Sequence, residues 1–152
     1  MCIRDSGISR QESSFAVDIR SSAGARGLMQ VMPGTAREMA RKIDVRYDRS
    51  RLNIPEYNIP LGAAYLEEGL QQLQDNMIYA TAGYNAGIHR AKQWLKDGKQ
   101  SLPLDVWIEI IPFKETRGYV KNVMAYSAIY ADKLGVEAPL TTLSDKLFIG
   151  AN

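Results

Sequence analysis

Glu12 is the residue of this chain whose surroundings best suit a general acid. It lies at the end of a short segment that contains apolar residues. Within the next eighteen residues follow a glycine-rich stretch, residues 21–27, and the amide of Gln30. Apolar neighbours and a close-packed loop keep water from a carboxyl group, so its pKa is expected to rise from about 4.3 toward about 6. A lone glutamate on a helix is more often solvated, but this context predicts a carboxyl group that holds its proton near neutral pH.

The composition argues against other kinds of catalytic centre. The chain has one histidine, His89, and one cysteine, Cys2. A single histidine argues against a histidine zinc site or a Ser-His-Asp triad, and a single cysteine excludes an internal disulfide and a cysteine metal cluster. The formal net charge of +2 is spread along the chain, without the basic block typical of nucleic-acid binders. We therefore expect no metal, no cofactor and no nucleic-acid ligand.

Hydrophobic periodicity predicts an all-α fold, α+β at most, with six to eight helices in one domain. A length of 152 residues with 45% hydrophobic side chains suits a single core. Thr35 and Glu38 have the spacing of a capping box, which predicts a helix start at Thr35. Residues 44–59 are polar and predict an irregular connection, and residues 106–113 fit a strand as well as a helix. Helices are predicted over residues 8–15, 35–43, 61–74, 77–84, 89–96, 104–111 and 115–134.

Five short motifs occur in order along most of the chain. Each motif alone is weak evidence, but the ordered set resembles the catalytic domain of the soluble lytic murein transglycosylases, a goose-lysozyme-like fold. Gly83 departs from the alanine that this family commonly has before its tyrosine and asparagine. The motifs are RQES at residues 10–13, GLMQVMPGTA at 27–36, NIPLGAAYL at 58–66, AGYNAG at 82–87 and IPFKETRGYVKNV at 111–123.

The resemblance implies a lysozyme-like domain with a groove around one catalytic glutamate, which cleaves peptidoglycan without adding water. The bond is the β-1,4 link between N-acetylmuramic acid and N-acetylglucosamine, and the product carries a 1,6-anhydromuramyl end. Glu12 matches the family's catalytic acid. It would protonate the glycosidic oxygen and then, as a carboxylate, take the proton of the muramyl 6-hydroxyl as that oxygen attacks C1.

Seven further residues match positions that line the groove in the family. The resemblance implies that Ser21 hydrogen-bonds the acetamido group, that Gln30 holds the sugar or orients Glu12, and that Tyr84 hydrogen-bonds Glu12 or the intermediate. The structural alternatives are a turn role for Ser21, a buried amide for Gln30, a core position for Tyr65, and helix-end roles for Asn85 and Glu115. The predicted substrate-binding residues are Ser21, Gln30, Met32, Tyr65, Tyr84, Asn85 and Glu115.

A second catalytic carboxylate has no clear candidate in the sequence. Most glycosidases use two carboxylates, but neither Asp18 nor Glu115 lies in a motif that assigns this role. If the acetamido group of the substrate stabilises the oxocarbenium ion, a second carboxylate is unnecessary. Asp18 is therefore interpreted as a loop residue, and the alternative is that it activates water in a hydrolytic variant. Arg117 is interpreted as a structural ion-pair partner, Trp94 and Trp107 as core residues and His89 as a surface residue.

Three other functions compete with the lytic reaction. A goose-type lysozyme would hydrolyse the same bond, a catalytically silent module would only bind peptidoglycan in the groove, and a structural helical domain would do neither. Retained Glu12 argues against pure binding, because binding alone needs no acid there.

The organisation of the chain is expected to be simple. Residues 1–7 are interpreted as a non-native or truncated lead and residues 8–152 as the catalytic domain. The first residues contain no apolar stretch long enough for an export signal, so a periplasmic or cell-envelope location requires a signal from outside this chain. The expected partners are peptidoglycan glycan strands, bound by a monomer.

Overall fold

The computed structural model describes residues 2–136 and has an all-α fold, as predicted. Within that range the only β pairing consists of isolated bridges that Arg26 makes with Arg20 and with Val31. Of residues 106–113, which also fitted a strand, residues 106–110 belong to a helix and residues 111–113 connect it to the next one. The helices are α1 (Ile3–Ser13), α2 (Pro33–Lys42), α3 (Pro55–Gln72), α4 (Met77–Ala86), α5 (Ile88–Trp94), α6 (Leu104–Ile110) and α7 (Lys114–Leu134), with 3-10 helices at Arg49–Asn53 and Lys99–Ser101.

Helix α4 lies at the centre of the core. It packs against α3, α5 and α7, and every residue in it except Tyr84 and Asn85 is buried. Small side chains allow this close packing, since a Cβ atom placed on Gly83 would lie only 3.0 Å from the Leu73 side chain. The end of α4 therefore holds Tyr84 and Asn85 on a rigid support at the edge of the core.

Helices α1 and α7 pack along one another and place the proposed acid. Helix α7 buries Tyr119, Val120 and Val123 on one face, at the spacing of successive helical turns. Helix α1 lies against α7. This packing sets Glu12, in the last turn of α1, opposite Tyr119.

Two predicted helix starts are wrong, and both true starts are prolines. Helix α2 begins at Pro33 with Met32 as its N-cap residue, so Thr35 lies inside the first turn. Helix α3 begins at Pro55, six residues before the predicted start, and includes Pro60. Proline suits the first helical position because its φ angle is already helical and the N–H that it lacks would have no partner there.

The other helix ends lie within two residues of the prediction, except that α1 begins at Ile3, five residues before the predicted segment. Gly87 and Gly135 follow α4 and α7 with positive φ angles of 96° and 63°, which glycine adopts without strain. Residues 3–7 of the proposed lead form the first turns of α1, and residues 137–152 of the proposed domain lie outside the described residues. Among the helices described, none has the length and apolar character needed to cross a bilayer.

Candidate active site

One cavity of about 440 Å³ brings together all eight residues that the sequence selected. They come from the end of α1, the loop that follows it, the start of α2, the middle of α3, the end of α4 and the start of α7. Residues distributed over more than one hundred positions of sequence therefore converge on one concave surface. The shared lining residues are Glu12, Ser21, Gln30, Met32, Tyr65, Tyr84, Asn85 and Glu115.

The pKa of Glu12 is raised to about 7 from its ordinary value of 4.5, mainly because burial keeps water from the carboxyl group. A hydrogen bond from Tyr119 acts in the opposite direction, and the negative charge of Glu115 raises the pKa further. The predicted direction of the shift is confirmed, and the shift is larger than predicted. Near neutral pH, a substantial fraction of Glu12 is protonated and able to donate.

Tyr119 is a site residue that the sequence analysis missed. Its hydroxyl donates to Oε1 of Glu12 at 2.7 Å, although the sequence pattern assigned it only to the buried face of α7. The available signal was chemical, since a buried tyrosine usually needs a partner for its hydroxyl, but no pattern named the partner. With Oε1 accepting this bond, the acidic proton of neutral Glu12 belongs on Oε2.

The backbone turn at residues 27–30 carries Gln30, which lines the cavity, and three side chains hold this turn. Ser13, next to Glu12, donates to the Leu28 carbonyl at 2.8 Å. Tyr84 donates to the Met29 carbonyl at 2.9 Å, and the Met29 N–H donates to Asn58 at 2.8 Å. The turn is thereby tied to α1, α4 and α3.

The predicted hydrogen bond from Tyr84 to Glu12 is not formed, because the Met29 carbonyl takes the Tyr84 proton and Glu12 receives its bond from Tyr119 instead. A bond from Tyr84 to the reaction intermediate stays a prediction. Burial raises the pKa of Tyr84 well above its ordinary value, and the nearby Glu12 adds to this effect. Tyr84 therefore stays neutral. It lines the cavity and contacts Tyr65, with ring centroids 5.3 Å apart.

Gln30 does not orient Glu12, which was one of its two predicted roles. Its side-chain nitrogen donates to the carbonyls of Ile19 at 3.1 Å and Gly27 at 2.8 Å, and its backbone is left-handed, with a φ angle of 46°. These bonds stabilise the loop and leave the amide oxygen of Gln30 without a partner within residues 2–136. That oxygen is an acceptor in the cavity wall.

Ser21 combines a structural and a potential binding role. Its hydroxyl oxygen accepts a bond from the Ala25 N–H at 3.0 Å, which is the turn role weighed as the alternative. The serine proton is left to donate to a ligand. Met32, which is 42% exposed, adds an apolar surface nearby.

Asn85 and Glu115 lie where α4 ends and α7 begins. Asn85 is a residue of α4, and the capping position is Gly87, so the helix-cap role considered for Asn85 is wrong. Its side-chain oxygen accepts a bond from the buried Thr116 hydroxyl at 2.7 Å. Glu115 lies in the first turn of α7, where a negative charge is favourable, and also lines the cavity.

The remaining sequence interpretations have mixed outcomes. Asp18 is exposed and does not line this cavity, consistent with a loop residue. Arg117 donates to the carbonyls of Ile111 and Glu109 at 3.0 and 3.4 Å rather than to a carboxylate, so the ion-pair interpretation is wrong. Trp107 is fully buried and His89 is exposed, as expected. Within residues 2–136, no group of three or more acidic, histidine or cysteine side chains is placed to hold a metal ion.

Comparison with family models matches two parts of the chain. Residues 6–103 match the transglycosylase SLT domain, and residues 110–139 match the soluble lytic transglycosylase helical domain. The first match alone covers more than half of the chain and contains Glu12 and the turn at residues 27–30.

Individual relatives agree with these matches. A soluble lytic murein transglycosylase of Salmonella typhimurium is 42% identical over 140 residues, which are 91% of this chain and 22% of that protein. The crystal structure of an inactive glutamate-to-glutamine mutant of lytic transglycosylase Slt from Pseudomonas aeruginosa is 49% identical, with a TM-score of 0.86 over 91% of this chain and 22% of the other. A 70-kDa soluble lytic transglycosylase in complex with bulgecin A is 38% identical, with a TM-score of 0.84 over 91% and 23% of the two chains. The chain thus spans about a fifth of the length of these relatives.

Proposed function

This chain belongs to the transglycosylase SLT domain family, and from that premise we propose that it is a peptidoglycan lytic transglycosylase. Its reaction is cleavage of the β-1,4 bond between N-acetylmuramic acid and N-acetylglucosamine without addition of water, which leaves 1,6-anhydromuramyl ends. The strongest support is the convergence of the eight residues that the resemblance selected on one cavity around a glutamate whose pKa is raised to about 7.

Glu12 carries both proton transfers in this proposal. The neutral acid donates the Oε2 proton to the glycosidic oxygen as the bond from that oxygen to C1 breaks. The muramyl 6-hydroxyl oxygen then attacks C1, and its proton returns to the Glu12 carboxylate. The acid is regenerated and no water is consumed, so one carboxyl group suffices.

Tyr119 assists by holding Oε1 through both steps. It donates to the carbonyl-type oxygen of the neutral acid and to the same oxygen of the carboxylate. Burial raises the pKa of Tyr119 itself well above the ordinary value, so the phenol remains a donor. The carboxylate that forms after the first transfer is thereby stabilised without being neutralised.

The other cavity residues bind the glycan in this proposal. Ser21 and Asn85 offer hydrogen-bond donors, the Gln30 amide oxygen offers an acceptor, and Met32 and Tyr65 offer apolar surface to the sugar rings. The glycan strand of peptidoglycan is the partner, a monomer binds it in the cell envelope, and nucleic acid is not a ligand.

A goose-type hydrolase is the alternative reaction for this cavity, and the matches to lytic transglycosylases do not favour it. Glu115 lines the same cavity as Glu12, and a hydrolase would need such a second carboxylate to activate water. Glu115 differs from Asp18 in this respect, since Asp18 does not line the cavity.

Digestion of purified peptidoglycan followed by mass analysis of the released muropeptides tests the proposal. The lytic reaction yields muramyl ends that are lighter by one water than reducing ends. Reducing ends as the main product would establish the hydrolase instead. Failure to release any muropeptide would contradict both enzymes.

The pH dependence of cleavage gives an independent prediction on Glu12 and Tyr119. Because the reaction begins from the protonated acid, kcat/KM should fall as pH rises through about 7. Tyr119→Phe removes a bond that stabilises the carboxylate, so the pKa of Glu12 rises and the alkaline fall in kcat/KM should move to higher pH. A pH–rate profile on soluble glycan strands measures this shift.

The matched control for Tyr119→Phe is Tyr130→Phe. Tyr130 is also on α7 and contacts Phe15, with ring centroids 6.2 Å apart, but does not line the cavity. Its pH profile should coincide with that of the unmodified protein. An alkaline limb that stays in place or moves to lower pH in Tyr119→Phe would contradict the assigned hydrogen bond.

A further inference from the structure

Thr116 is a buried polar residue beside the cavity that the reaction itself does not use. It lies in the first turn of α7 and is 1% exposed. Its hydroxyl donates to Oδ1 of Asn85 at 2.7 Å, and it makes no other side-chain hydrogen bond within residues 2–136. A buried hydroxyl has one proton to donate, and here that proton goes to a residue of the cavity wall.

This single bond decides which end of the Asn85 amide is offered to a ligand. An asparagine amide carries an acceptor oxygen and a nitrogen with two donor protons, and its hydrogen-bond network determines its orientation. With Oδ1 turned to Thr116, the nitrogen of Asn85 is left without a partner in the described part of the chain, and Asn85 lines the cavity with Glu12.

We propose that Thr116 is a specificity-determining positioning residue that holds the Asn85 amide with its N–H groups toward the glycan. Asn85 then binds an acceptor oxygen on the sugar, such as an acetamido carbonyl, and disfavours a sugar that presents an ammonium group at the same position. The inference rests on the proposed function, because it concerns the substrate of the same cavity.

The charges around Asn85 make the orientation of its amide consequential. Glu12 and Glu115 line the same cavity. The Glu115 carboxylate attracts an N-deacetylated, positively charged sugar, and Glu12 does so whenever it is ionised. Two N–H donors aimed at the glycan oppose that attraction, since a donor facing a donor leaves both without a partner. If the amide turned around, its oxygen would join the carboxylates in accepting from an ammonium group.

Partially N-deacetylated glycan strands provide the test. The products of digestion are separated by mass, and the acetylated fraction at each sugar position next to the cleaved bond is compared with that of the starting strands. The unmodified protein should enrich acetylated sugars at the position that Asn85 contacts. The muramyl acetamido group also acts in the reaction, so its loss slows cleavage by all variants equally. The test therefore compares the enrichment of acetylated sugars between variants.

Thr116→Val, which removes the hydroxyl but keeps the shape, should lower that enrichment by about five- to tenfold, the worth of one hydrogen bond. The change should be confined to one sugar position. Thr116→Ser, which keeps the hydroxyl, should retain the enrichment. A Thr116→Val protein with the enrichment of the unmodified protein would overturn the inference.

Asn85→Asp tests the same inference if Thr116→Val does not fold. Aspartate keeps an oxygen for the Thr116 proton and replaces the N–H groups by a second acceptor, so the preference at that same position should turn toward deacetylated sugars. An unchanged preference would overturn the inference. Complete inactivity of the unmodified protein on fully acetylated strands would instead contradict the proposed function itself.

Discussion

Glu12→Gln should lower the rate of glycan cleavage by at least the roughly 10²- to 10⁴-fold that general acid catalysis supplies. The amide has nearly the shape of the acid and can still accept from Tyr119, but it has no proton of suitable acidity to give to the glycosidic oxygen. Release of anhydro muropeptides from purified peptidoglycan measures the loss. Turnover within a few-fold of the unmodified protein would remove Glu12 from the catalytic role.

The stability of this variant separates loss of chemistry from loss of fold. A carboxyl group whose pKa rises from 4.5 to about 7 on folding binds its proton more tightly in the native state, so it stabilises the protein fully below pH 4.5. That contribution is lost as pH rises to 7 and amounts to up to about 3 kcal/mol. Glutamine does not titrate. Unfolding in urea at pH 5 and pH 8 should therefore show that stability falls between the two for the unmodified protein and changes less for Glu12→Gln.

A matched control for Glu12→Gln is Glu56→Gln. Glu56 lies in the first turn of α3, is exposed and does not line the cavity. Its activity should equal that of the unmodified protein. Loss of activity in both variants would mean that removing a negative charge anywhere on this surface reduces cleavage, and the result for Glu12 would lose its meaning.

Asn58→Ala should destabilise the fold by about 3–5 kcal/mol, a large part of the stability of a domain this size. Asn58 is fully buried. Its amide oxygen accepts from the Met29 N–H at 2.8 Å, and its nitrogen donates to the carbonyls of Arg26 at 2.9 Å and Leu52 at 2.8 Å. Alanine leaves the Met29 N–H and the Leu52 carbonyl without partners and opens a small cavity, while the Arg26 carbonyl keeps its bond from the Val31 N–H. Urea unfolding, followed by circular dichroism, gives the change in unfolding free energy.

Asn58→Ala also tests how the wall of the cavity is built. The turn at residues 27–30 loses its tie to α3, so any folded protein should bind glycan more weakly and cleave it more slowly. Asn122→Ala, on the exposed face of α7, should change stability by no more than about 0.5 kcal/mol. A loss below about 1 kcal/mol in Asn58→Ala would show that water or neighbouring groups replace its bonds.

The helices could be predicted well because their signals are local. The periodic apolar face of α7 and the glycine after it determine that helix from neighbouring residues alone. The same local signals could not show whether a proline begins α2 or α3 or interrupts a helix there, because proline is typical both of helix starts and of helix breaks. Whether Pro33 and Pro55 begin a helix depends on whether the next turns find a buried surface to pack against.

The positions of the cavity residues could also be predicted, but their hydrogen bonds could not. The resemblance selected eight residues, seven of them within the five motifs, and all eight line one cavity. It led to wrong expectations for a hydrogen bond from Tyr84 to Glu12 and for the orienting role of Gln30, because a motif carries the type of a side chain and its place in the chain. It does not state which of several nearby acceptors the side chain reaches.

The sequence by itself determined an all-α domain, a candidate acid at Glu12 and the residues around it, because helical periodicity and ordered motifs can be identified from residues close together in the chain. Only the tertiary structure decided that Tyr119, 107 residues from Glu12, supplies the bond to the acid. It also decided that Thr116 donates a hydrogen bond to Asn85 and that Asn58 holds the turn at residues 27–30. The physical reason is that a hydrogen bond requires a donor and an acceptor within about 3 Å, and the packing of α1, α3, α4 and α7 determines which distant groups come that close.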